Sequence, residues 1–390
     1  MNVALVIERM DPARGGRERS TAQIARALAA RGHDVDVLCQ SGVELDELSS
    51  DGPDGGTVTC RPLGRRGATY PRRLERFVAD VRRATADGAY GVVHATLPIP
   101  GADVYQPRGG TVPAQAAASL RRRCLPARAI ARATKPLNRR RAAMRRLEAQ
   151  VMADPRVACL AVSRMVAREM REHYGRRENV HVVYNAVDAP NADDPRRSDW
   201  RQQLRFRLAM APRDTLFLTV ARNLALKGVD RAIEAFTRWL YAAPQRAGRL
   251  IVVGGERTER YRRHAGLRDV GRFVGFVEPT ETIFRWYAAA DVCVLLSWYD
   301  PCSRVVLEAT RWGIPSITTA SNGAGEVLTD GAGIVVDSPR DVRAVAEAMG
   351  TLSDRDNRAD YEAACRAVAP RLSTERHVDR LIEIYRRGKR

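Results

Sequence analysis

Short apolar runs of strand length recur along this chain, and helix-like patterns separate most of them. In the second half they cover residues 216–220, 250–254, 272–275, 291–296, 315–318 and 333–336. The runs are continuous rather than alternating, which is typical of strands that are buried on both faces of a parallel sheet. Parallel strands need crossover connections, so the helical patterns predict helices on both faces. The second half is therefore expected to form a doubly wound α/β domain.

The first half of the chain repeats this pattern. Apolar runs lie at 3–7, 35–39 and 91–95, and the adjacent glycines Gly15 and Gly16 precede a helical pattern after the first run. With 390 residues, the chain is too long for one ordinary hydrophobic core. The sequence therefore predicts two Rossmann-like domains that face each other across a cleft at the carboxyl ends of their strands.

Polar residues mark the boundary between the two halves. The stretch 185–197 is polar and contains two prolines, which suits a linker. We predict a first domain over residues 1–188 and a second domain over residues 189–372. Residues 373–390 are predicted to form a helix that packs back on the first domain.

The composition excludes several classes of protein. No run of about 18 or more apolar residues is present, so neither a transmembrane helix nor a signal peptide is expected. The seven cysteines are scattered without metal-ligand or redox-pair spacing, which predicts reduced thiols in a cytoplasmic protein. The formal net charge of +19 comes mostly from arginine. It indicates an anionic partner, unless it reflects an arginine-rich proteome.

Positive charge is concentrated in the segment 121–146, which contains no acidic residue. Its cations are Arg121, Arg122, Arg123, Arg128, Arg132, Lys135, Arg139, Arg140, Arg141, Arg145 and Arg146. Apolar residues are interleaved with them, which suits a segment that lies on an anionic membrane, where each cation contributes roughly 1 kcal/mol. A solvated basic face is the alternative interpretation, and both stay open.

Two cations stand five positions apart after the first strand of the second half. In the stretch 219–230 an apolar strand ends, Arg222 and Lys227 follow, and a helical pattern begins. Both cations and the free N–H groups of the helix start would converge on one anion. Ordinary loop cations are the alternative, because a single motif match is weak evidence.

Two carboxylates stand eight positions apart around the next loop. Asp300 follows the strand at 291–296, a helix begins near Ser303, and Glu308 lies inside that helix. The helix start at Cys302 and Ser303 suits phosphate, while Glu308 can accept from ribose hydroxyls and Asp300 from sugar hydroxyls. As alternatives, Asp300 is a helix cap and Glu308 a surface acid, although the apolar neighbours of Glu308 disfavour that second interpretation.

These two stretches resemble the R-x4-K and E-x7-E elements of glycosyltransferase family 4, the retaining GT-B enzymes. Asp300 stands where the family more usually has Glu. The resemblance covers most of the chain, because the loop at Gly15 and Gly16, the segments 30–35 and 183–188, and Gly275-Phe276-Val277 also match in order. It implies a GT-B fold of two Rossmann-like domains.

The resemblance also implies roles for individual residues. Arg222 and Lys227 would bind the donor diphosphate, Glu308 the ribose and Asp300 the donor sugar. The main chain near Val277 would meet the base. The donor-binding set completed in this way comprises Gly15, Gly16, Arg222, Lys227, Val277, Cys302, Ser303 and Glu308.

Two shorter stretches, 101–105 and 15–19, resemble the lipopolysaccharide core glucosyltransferase I branch of this family. The resemblance implies that Asp103 lies near the reacting sugar, with His94 as its rival, because family members often place a His or an Asp there. Asp103 could instead cap a loop. His94, at the end of an apolar strand, could be a satisfied core histidine.

Neither a cofactor nor a catalytic metal is expected. In a retaining transfer the leaving phosphate can take the acceptor proton, so no strong protein base is required. The D-x-D sequences at 34–36 and 354–356 mimic a metal site, but the first lies within a strand with no further ligand nearby and the second lies in a polar loop. No G-x-G-x-x-G follows the first strand, which disfavours a nicotinamide dehydrogenase.

These observations predict a metal-independent, retaining hexosyltransferase that uses a UDP-sugar, or less favourably a GDP-sugar. Its expected acceptor is a cell-envelope glycan or glycolipid such as a lipopolysaccharide core, and its expected place is the inner face of the cytoplasmic membrane. A nucleotide-sugar epimerase of GT-B fold is one alternative. A nucleic-acid-binding protein that uses residues 121–146 is another, although this segment lacks aromatic interleaving and any reader motif.

Overall fold

The computed structural model describes residues 1–12, 15–42, 55–121, 138–187, 192–243 and 245–388. The chain forms two compact units by its internal contacts. The first comprises Met1–Ala186 and Ser373–Arg390, and the second comprises Val187–Leu372. Residues 122–137 of the basic segment and 188–191 of the expected linker lie outside the described residues.

The first unit is built around a parallel sheet with the strand order β5-β3-β1-β6-β7-β8-β9. Its strands are β1 (Asn2–Val6), β2 (Arg9–Met10), β3 (Asp34–Cys39), β4 (Ser41–Gly42), β5 (Val58–Pro62), β6 (Val92–Ala95), β7 (Val104–Tyr105), β8 (Ala158–Ala161) and β9 (Val180–Val182). β2 and β4 form a separate parallel pair. Its helices include α1 (Gly16–Ala29), α2 (Tyr70–Ala84), α3 (Val112–Arg121), α4 (Arg139–Ala153) and α5 (Arg164–Tyr174).

The second unit contains a six-stranded parallel sheet with the order β12-β11-β10-β13-β14-β15. Its strands are β10 (Thr215–Val220), β11 (Gly248–Val253), β12 (Val274–Val277), β13 (Val292–Leu295), β14 (Ser316–Thr319) and β15 (Gly333–Val336). Its helices are α6 (Arg197–Arg207), α7 (Val229–Tyr241), α8 (Glu259–Gly266), α9 (Ile283–Ala289), α10 (Arg304–Arg311), α11 (Val342–Ser353) and α12 (Arg355–Val368). The expectation of two Rossmann-like α/β domains is confirmed.

Burial on both faces explains why the strands read as continuous apolar runs. Phe217 of β10 packs on one face against Phe236 and Trp239 of α7, with ring centroids 6.0 and 4.8 Å away. Its neighbours Leu216 and Leu218 belong to the hydrophobic core on the opposite face. Successive side chains of a strand point to opposite faces, so both sets must be apolar when helices cover both.

The last helix of the chain, α13 (Thr374–Arg387), packs against α1 in the first unit. Ser373 caps it by accepting a hydrogen bond from the N–H of Arg376. The buried side chains Val378, Leu381 and Tyr385 join the hydrophobic core that β1 and α1 also form. The chain thus returns to its first unit after completing the second.

The predicted and observed strands differ at one place in the second unit. The run at 272–275 was expected to be a strand, but Gly271–Phe273 is a 3-10 turn and β12 begins at Val274. Within the described part of the chain, no helix is long and apolar enough to cross a membrane.

Candidate active site

The strand order of the second unit reverses between β10 and β13, which are hydrogen-bonded neighbours. The chain leaves β10 at Val220 and enters α7 at Val229, and it leaves β13 at Leu295 and enters α10 at Arg304. Both loops therefore lie at the carboxyl edge of the sheet, at the reversal point where open α/β sheets bind ligands. Of the residues expected to bind a nucleotide sugar, Arg222, Lys227, Asp300, Cys302 and Ser303 lie on these two loops, and Glu308 lies in α10, which follows the second loop.

The structure brings Lys227 of the first loop into contact with Asp300 of the second. Nζ of Lys227 donates a hydrogen bond to Oδ2 of Asp300, and the two side chains are 18% and 13% exposed. The sequence analysis assigned Lys227 to the diphosphate and Asp300 to the sugar, as separate ligands. Because they form an ion pair, a change in either side chain will affect the other.

Close packing holds these loops together. The N–H of Trp298 donates to the carbonyl oxygen of Leu226 at 3.0 Å. Gly228 has a left-handed conformation with φ 63°, and a Cβ at this position would lie 2.3 Å from the carbonyl oxygen of Leu296. Glycine tolerates both the backbone conformation and the close approach, so it is required at the start of α7.

Arg222 is exposed on the first loop. Among the residues described here, it has neither a hydrogen bond nor an ion pair of its own. The adjacent Ala221 lies against Gly254, which follows β11 on the same edge with φ 94°. An arginine without a carboxylate partner at this edge is available to an anionic ligand.

Glu308 is held from two sides. The hydroxyl of Tyr287 donates to its Oε2 at 2.9 Å, and Nε of Arg304 lies 3.5 Å from its Oε1. Its side chain is 17% exposed, so the alternative that Glu308 is a surface acid is wrong. Burial, followed by the charge of Glu308, raises the pKa of Tyr287 well above its ordinary value. The tyrosine hydroxyl therefore stays protonated and remains a donor to the carboxylate.

The sequence analysis missed Asn322, which organises the second loop. Its side chain is buried, with Oδ1 accepting from the N–H groups of Ser303 and Ala324 at 3.2 and 3.1 Å. Its Nδ2 donates to Oγ1 of Thr318 at 2.9 Å. Asp300 forms a backbone bridge with the same residue. A polar stretch directly after an apolar strand, at 318–323, was the available sequence signal.

Asn322 also occupies one donor of the helix start at Cys302 and Ser303, which was expected to suit phosphate. The N–H of Ser303 donates to Asn322, and the donor-binding role of Ser303 stays a prediction. A phosphate at this helix start would have to use the N–H groups that follow in α10. Cys302 is buried beside it, with 4% of its surface exposed.

Val277 is the last residue of β12, on the same carboxyl edge, and it is half-buried. Its carbonyl oxygen accepts a hydrogen bond from the N–H of Gly254 at 2.8 Å. Val277 therefore borders the edge that carries Arg222, as the resemblance implied. Its contact with a base stays a prediction.

In the first unit, Gly15 and Gly16 lie where α1 begins, after β1. The carbonyl oxygen of Gly15 accepts a hydrogen bond from the N–H of Arg19 at 3.1 Å. Residues 13–14 of this loop are outside the described residues. The start of a 14-residue helix at a strand's carboxyl end suits an anion, so the donor-binding role of both glycines stays a prediction.

A buried arginine that the sequence analysis missed lies beside this helix start. Arg108 follows β7, and its Nη1 donates to Oγ1 of Thr21 at 2.9 Å, while its Nε donates to Oε1 of Gln106 at 2.8 Å. It adds positive charge to the carboxyl edge of the first sheet. The sequence signal was an arginine between proline and glycine directly after a short apolar strand.

His94 was expected as a rival catalytic residue, and the structure contradicts this expectation. It is 1% exposed in β6, and its Nδ1 lies 2.6 Å from the hydroxyl of Tyr385 in α13. Burial, and then the charge of Arg108, lowers the pKa of His94 to about 3. The alternative interpretation, a satisfied core histidine, holds for Nδ1 only, because Nε2 of His94 is buried without a hydrogen-bond partner among the described residues.

Asp103 also departs from its expected role near the reacting sugar. Its carboxylate accepts a hydrogen bond from the N–H of Val93 at 2.7 Å, and its own N–H donates to the carbonyl oxygen of Val93. It precedes β7, so it lies toward the amino end of that strand, away from the carboxyl edge. Asp103 ties two strands together, which is a structural role.

The D-x-D sequences have ordinary partners. Oδ1 of Asp34 accepts from Thr57, and Asp36 pairs with Arg61 at 3.0 Å. Asp354 caps α12 by accepting from two backbone N–H groups. In the described ranges, no group of three or more His, Cys, Asp or Glu residues could hold a metal ion.

Comparisons with known proteins identify the family of this chain. A family model described as Glycosyltransferase Family 4 matches residues 14–190, and one described as Glycosyl transferases group 1 matches residues 214–355. The D-inositol 3-phosphate glycosyltransferase of Geodermatophilus obscurus is 30% identical over 397 residues, covering 95% of this chain and 84% of its own.

Solved structures show the same fold. WaaG, a glycosyltransferase involved in lipopolysaccharide biosynthesis, matches with a TM-score of 0.76 at 21% identity and covers 98% of this chain and 99% of that one. Anabaena Alr3699/HepE in complex with UDP-glucose matches with a TM-score of 0.67 at 19% identity and covers 98% of each chain. The chain belongs to glycosyltransferase family 4 and has the GT-B fold, so the resemblance inferred from the sequence is confirmed.

The contact between Tyr287 and Glu308 predicts a graded effect on nucleoside diphosphate binding. Glu308→Ala should abolish measurable binding or turnover, because it removes the carboxylate. Tyr287→Phe should weaken binding by about tenfold, because it removes one hydrogen bond to a charged group. Calorimetric titration with UDP measures both. Full affinity in Glu308→Ala would contradict the assignment, and Arg213→Ala, an exposed change before β10, is the control.

Burial of His94 predicts a loss of stability in acid. The unfolded chain protonates this histidine near pH 6.5, whereas the folded chain does so only near pH 3. The contribution of neutral His94 to the free energy of unfolding is complete above pH 6.5. It is lost as pH falls toward 3, by about 1 kcal/mol per pH unit. The free energy of unfolding, measured with urea between pH 5 and 7, should change less steeply with pH in His94→Gln than in the exposed control His173→Gln. An equal pH dependence of stability in the two variants would contradict this prediction.

Proposed function

We propose that this protein is a retaining glycosyltransferase that transfers a hexose from a nucleotide-diphosphate sugar, with a UDP-sugar favoured, to a cell-envelope glycan or glycolipid. The observation that carries the proposal is the carboxyl edge of the second sheet. There, an unpaired exposed Arg222 and the Lys227–Asp300 ion pair lie on the loops around the strand reversal, and the oriented carboxylate of Glu308 lies in α10, which follows the second loop.

The charges of this edge suit the leaving diphosphate. Arg222 would donate to its oxygens, since a guanidinium binds phosphate through two parallel hydrogen bonds. Lys227 would share its charge between the diphosphate and Asp300, and Asp300 would accept from hydroxyls of the donor sugar. Glu308 would accept from the ribose, with Tyr287 fixing its rotamer. These groups bind and orient the donor.

The chemistry then needs little from the protein besides orientation and charge. Positive groups and backbone N–H donors stabilise the diphosphate as it leaves, and the acceptor attacks from the same face. A phosphate oxygen takes the acceptor proton, so we propose a reaction that requires no metal and no separate protein base. We do not assign that role to His94 or Asp103, because His94 is buried against Tyr385 of α13 and Asp103 accepts from the N–H of Val93.

Two acceptor classes have support. A lipopolysaccharide-core-like glycan is supported by the sequence resemblance and by the structural neighbour WaaG, which is involved in lipopolysaccharide biosynthesis. A phosphorylated inositol follows from the names of relatives that are 28–30% identical over nearly the whole chain. We favour the envelope glycan and keep the phosphorylated inositol as the second candidate. UDP is favoured as the donor nucleotide because Alr3699/HepE was solved with UDP-glucose.

A basic surface on the first unit supports membrane association. The helices α2 and α4 pack against each other, and an ion pair between Arg146 and Glu75 joins them at 3.4 Å. Their exposed arginines include Arg72, Arg76, Arg82, Arg83, Arg139, Arg140, Arg145 and Arg146. We propose that this surface, the basic helix pair, rests on the anionic inner face of the cytoplasmic membrane, where a glycolipid acceptor is presented.

The alternative functions make different demands. An epimerase would convert the nucleotide sugar without any acceptor, whereas a transferase releases UDP only when an acceptor is present. A nucleic-acid-binding protein would show a donor-independent affinity that falls steeply with salt. A nucleic-acid-binding protein would not need the oriented carboxylate of Glu308 at the strand reversal, and conversion of the nucleotide sugar without an acceptor would identify an epimerase.

Thermal unfolding with a panel of nucleotides tests the donor site. UDP is expected to raise the melting temperature more than GDP, ADP or TDP, with NAD as the negative control. Arg222→Ala should weaken UDP affinity by about 1.5 to 3 kcal/mol, the range for hydrogen bonds to charged groups. Arg213→Ala should leave it unchanged. If no nucleotide shifts the transition, or if NAD shifts it as much as UDP, the proposal is wrong.

Sedimentation with lipid vesicles tests the membrane surface. The variant R72Q/R76Q/R139Q/R145Q should bind phosphatidylglycerol vesicles at least about tenfold more weakly than the unchanged protein, because each cation near the surface contributes roughly 1 kcal/mol. Binding should also fall with added salt.

The matched control changes four exposed arginines of the second unit, in the variant R207Q/R213Q/R238Q/R263Q. It loses the same charge and should keep its vesicle binding. Equal losses in both variants would mean that net charge, and not the basic helix pair, determines adsorption. Equal binding to phosphatidylcholine vesicles would also contradict the proposal.

A further inference from the structure

A second concave site lies in the second unit, at the amino edge of its sheet. A cavity of about 550 Å³ is lined by Arg197, Arg201, Asp291, Ile314, Arg355 and Arg358, among others. Asp291 directly precedes β13 and Ile314 precedes β14, so the cavity borders the amino ends of these strands. From Asp291 to the loop of the candidate active site at Ser297 the extended chain spans roughly 20 Å. The two sites are therefore at opposite edges of one sheet.

Asp291 lines this cavity, and both oxygens of its carboxylate accept hydrogen bonds. Its side chain is 5% exposed, and its oxygens accept from Nη2 of Arg201 at 2.5 Å and Nη1 of Arg205 at 2.8 Å. The N–H of Leu216 donates to the same carboxylate at 2.7 Å. One carboxylate thus serves two guanidinium groups, and Nη2 of a third, Arg358, lies 3.8 Å away.

The other carboxylates that line the cavity are also paired. Both oxygens of Asp194 accept from Arg196, at 3.0 and 2.9 Å. Glu362 accepts from Nε of Arg358 at 3.0 Å. Each negative charge on the cavity wall is therefore already neutralised by an arginine.

Positive charge remains after this pairing. Nη1 of Arg197 donates to the carbonyl oxygen of Ala192 at 3.2 Å, and neither Arg197 nor Arg355 has an ion pair with a carboxylate of the described residues. Arg366 lies beside the wall, since its Nη1 would be 3.9 Å from a Cβ at Gly313. Burial, and then the charge of Arg201, lowers the pKa of Arg197. Four arginines and three carboxylates line the cavity, and the acids near Arg197 are Glu362, which pairs with Arg358, and Asp193. The positive charge around this space is therefore only partly compensated.

Two helices also begin at this cavity. Arg197 and Ser198 form the first turn of the 11-residue α6, and Arg355 begins the 14-residue α12. No side chain caps the start of α6. The start of α6 therefore has partial positive charge and N–H donors that no side chain caps, which add to the field of the arginines, whereas the carboxylate of Asp354 caps the start of α12.

We propose that this cavity binds a phosphate group, carried by a small polar molecule such as a sugar phosphate. Guanidinium groups bind phosphate oxygens through paired hydrogen bonds, and a dianion would balance the surplus charge of Arg197 and Arg355. The volume lies within the range of small-molecule sites and exceeds the need of a phosphate ion alone, so the remainder accommodates a hydrophilic body. This site is independent of the donor site and of the function proposed above.

Calorimetric titration of the full chain with glucose 6-phosphate, inorganic phosphate and glucose tests the proposal. The R197Q/R355Q variant is expected to bind glucose 6-phosphate at least about tenfold more weakly than the unchanged protein, as for loss of a charged hydrogen bond. The control R207Q/R213Q removes the same charge outside the cavity and should keep the affinity. Arg222→Ala should also keep it, which separates this site from the donor site.

Each outcome of the titration supports or overturns the proposed phosphate site. Tighter binding of glucose 6-phosphate than of phosphate supports a phosphate monoester, and equal binding supports free phosphate as the ligand. Binding of neither, binding of glucose with equal strength, or full binding in R197Q/R355Q overturns the proposal. If the double variant does not fold, the single variant Arg355→Gln serves instead, because Arg355 is exposed and has no ion pair in the described chain.

Discussion

The close approach of two loops, those after β10 and β13, is the constraint on which the candidate active site depends. Gly228 permits it, because any side chain there would collide with the carbonyl oxygen of Leu296. The approach lets Lys227 reach Asp300. Asn322 also holds the second loop, because its side chain accepts a hydrogen bond from the N–H of Ser303. These contacts hold the edge in one arrangement, and such pre-organisation lowers the entropic cost of binding a ligand.

The polar side chains of the two sheets have different partners. In the first, His94 and Asp103 stay within the sheet and contribute to its stability, and Arg108 supplies the charge at the carboxyl edge. In the second, carboxylates at both edges of the sheet are paired with cations: Asp300 at the carboxyl edge and Asp291 at the amino edge. At the proposed donor and phosphate sites, positive charge remains after these ion pairs have formed.

Most of the fold was predictable because buried parallel strands require apolar residues on both faces. β10, β11 and β13 were found in this way. β5 was not, since its residues are mostly exposed or half-buried at the edge of the sheet. β7 is only two residues long and gives no periodic signal. The predicted boundary at residue 188 and the observed division after Ala186 are close, since the polar linker stretch marks both.

By itself, the sequence determined the fold class, the family and the order of the cationic and acidic residues along the second unit, because these follow from local patterns of burial and spacing. Only the tertiary structure decided which of these residues meet. The partners of Lys227, Glu308 and His94 lie 73, 21 and 291 positions away in the chain, and no local pattern encodes such contacts. They arise because parallel strands bring distant loops to one edge, and because the last helix returns to the first unit.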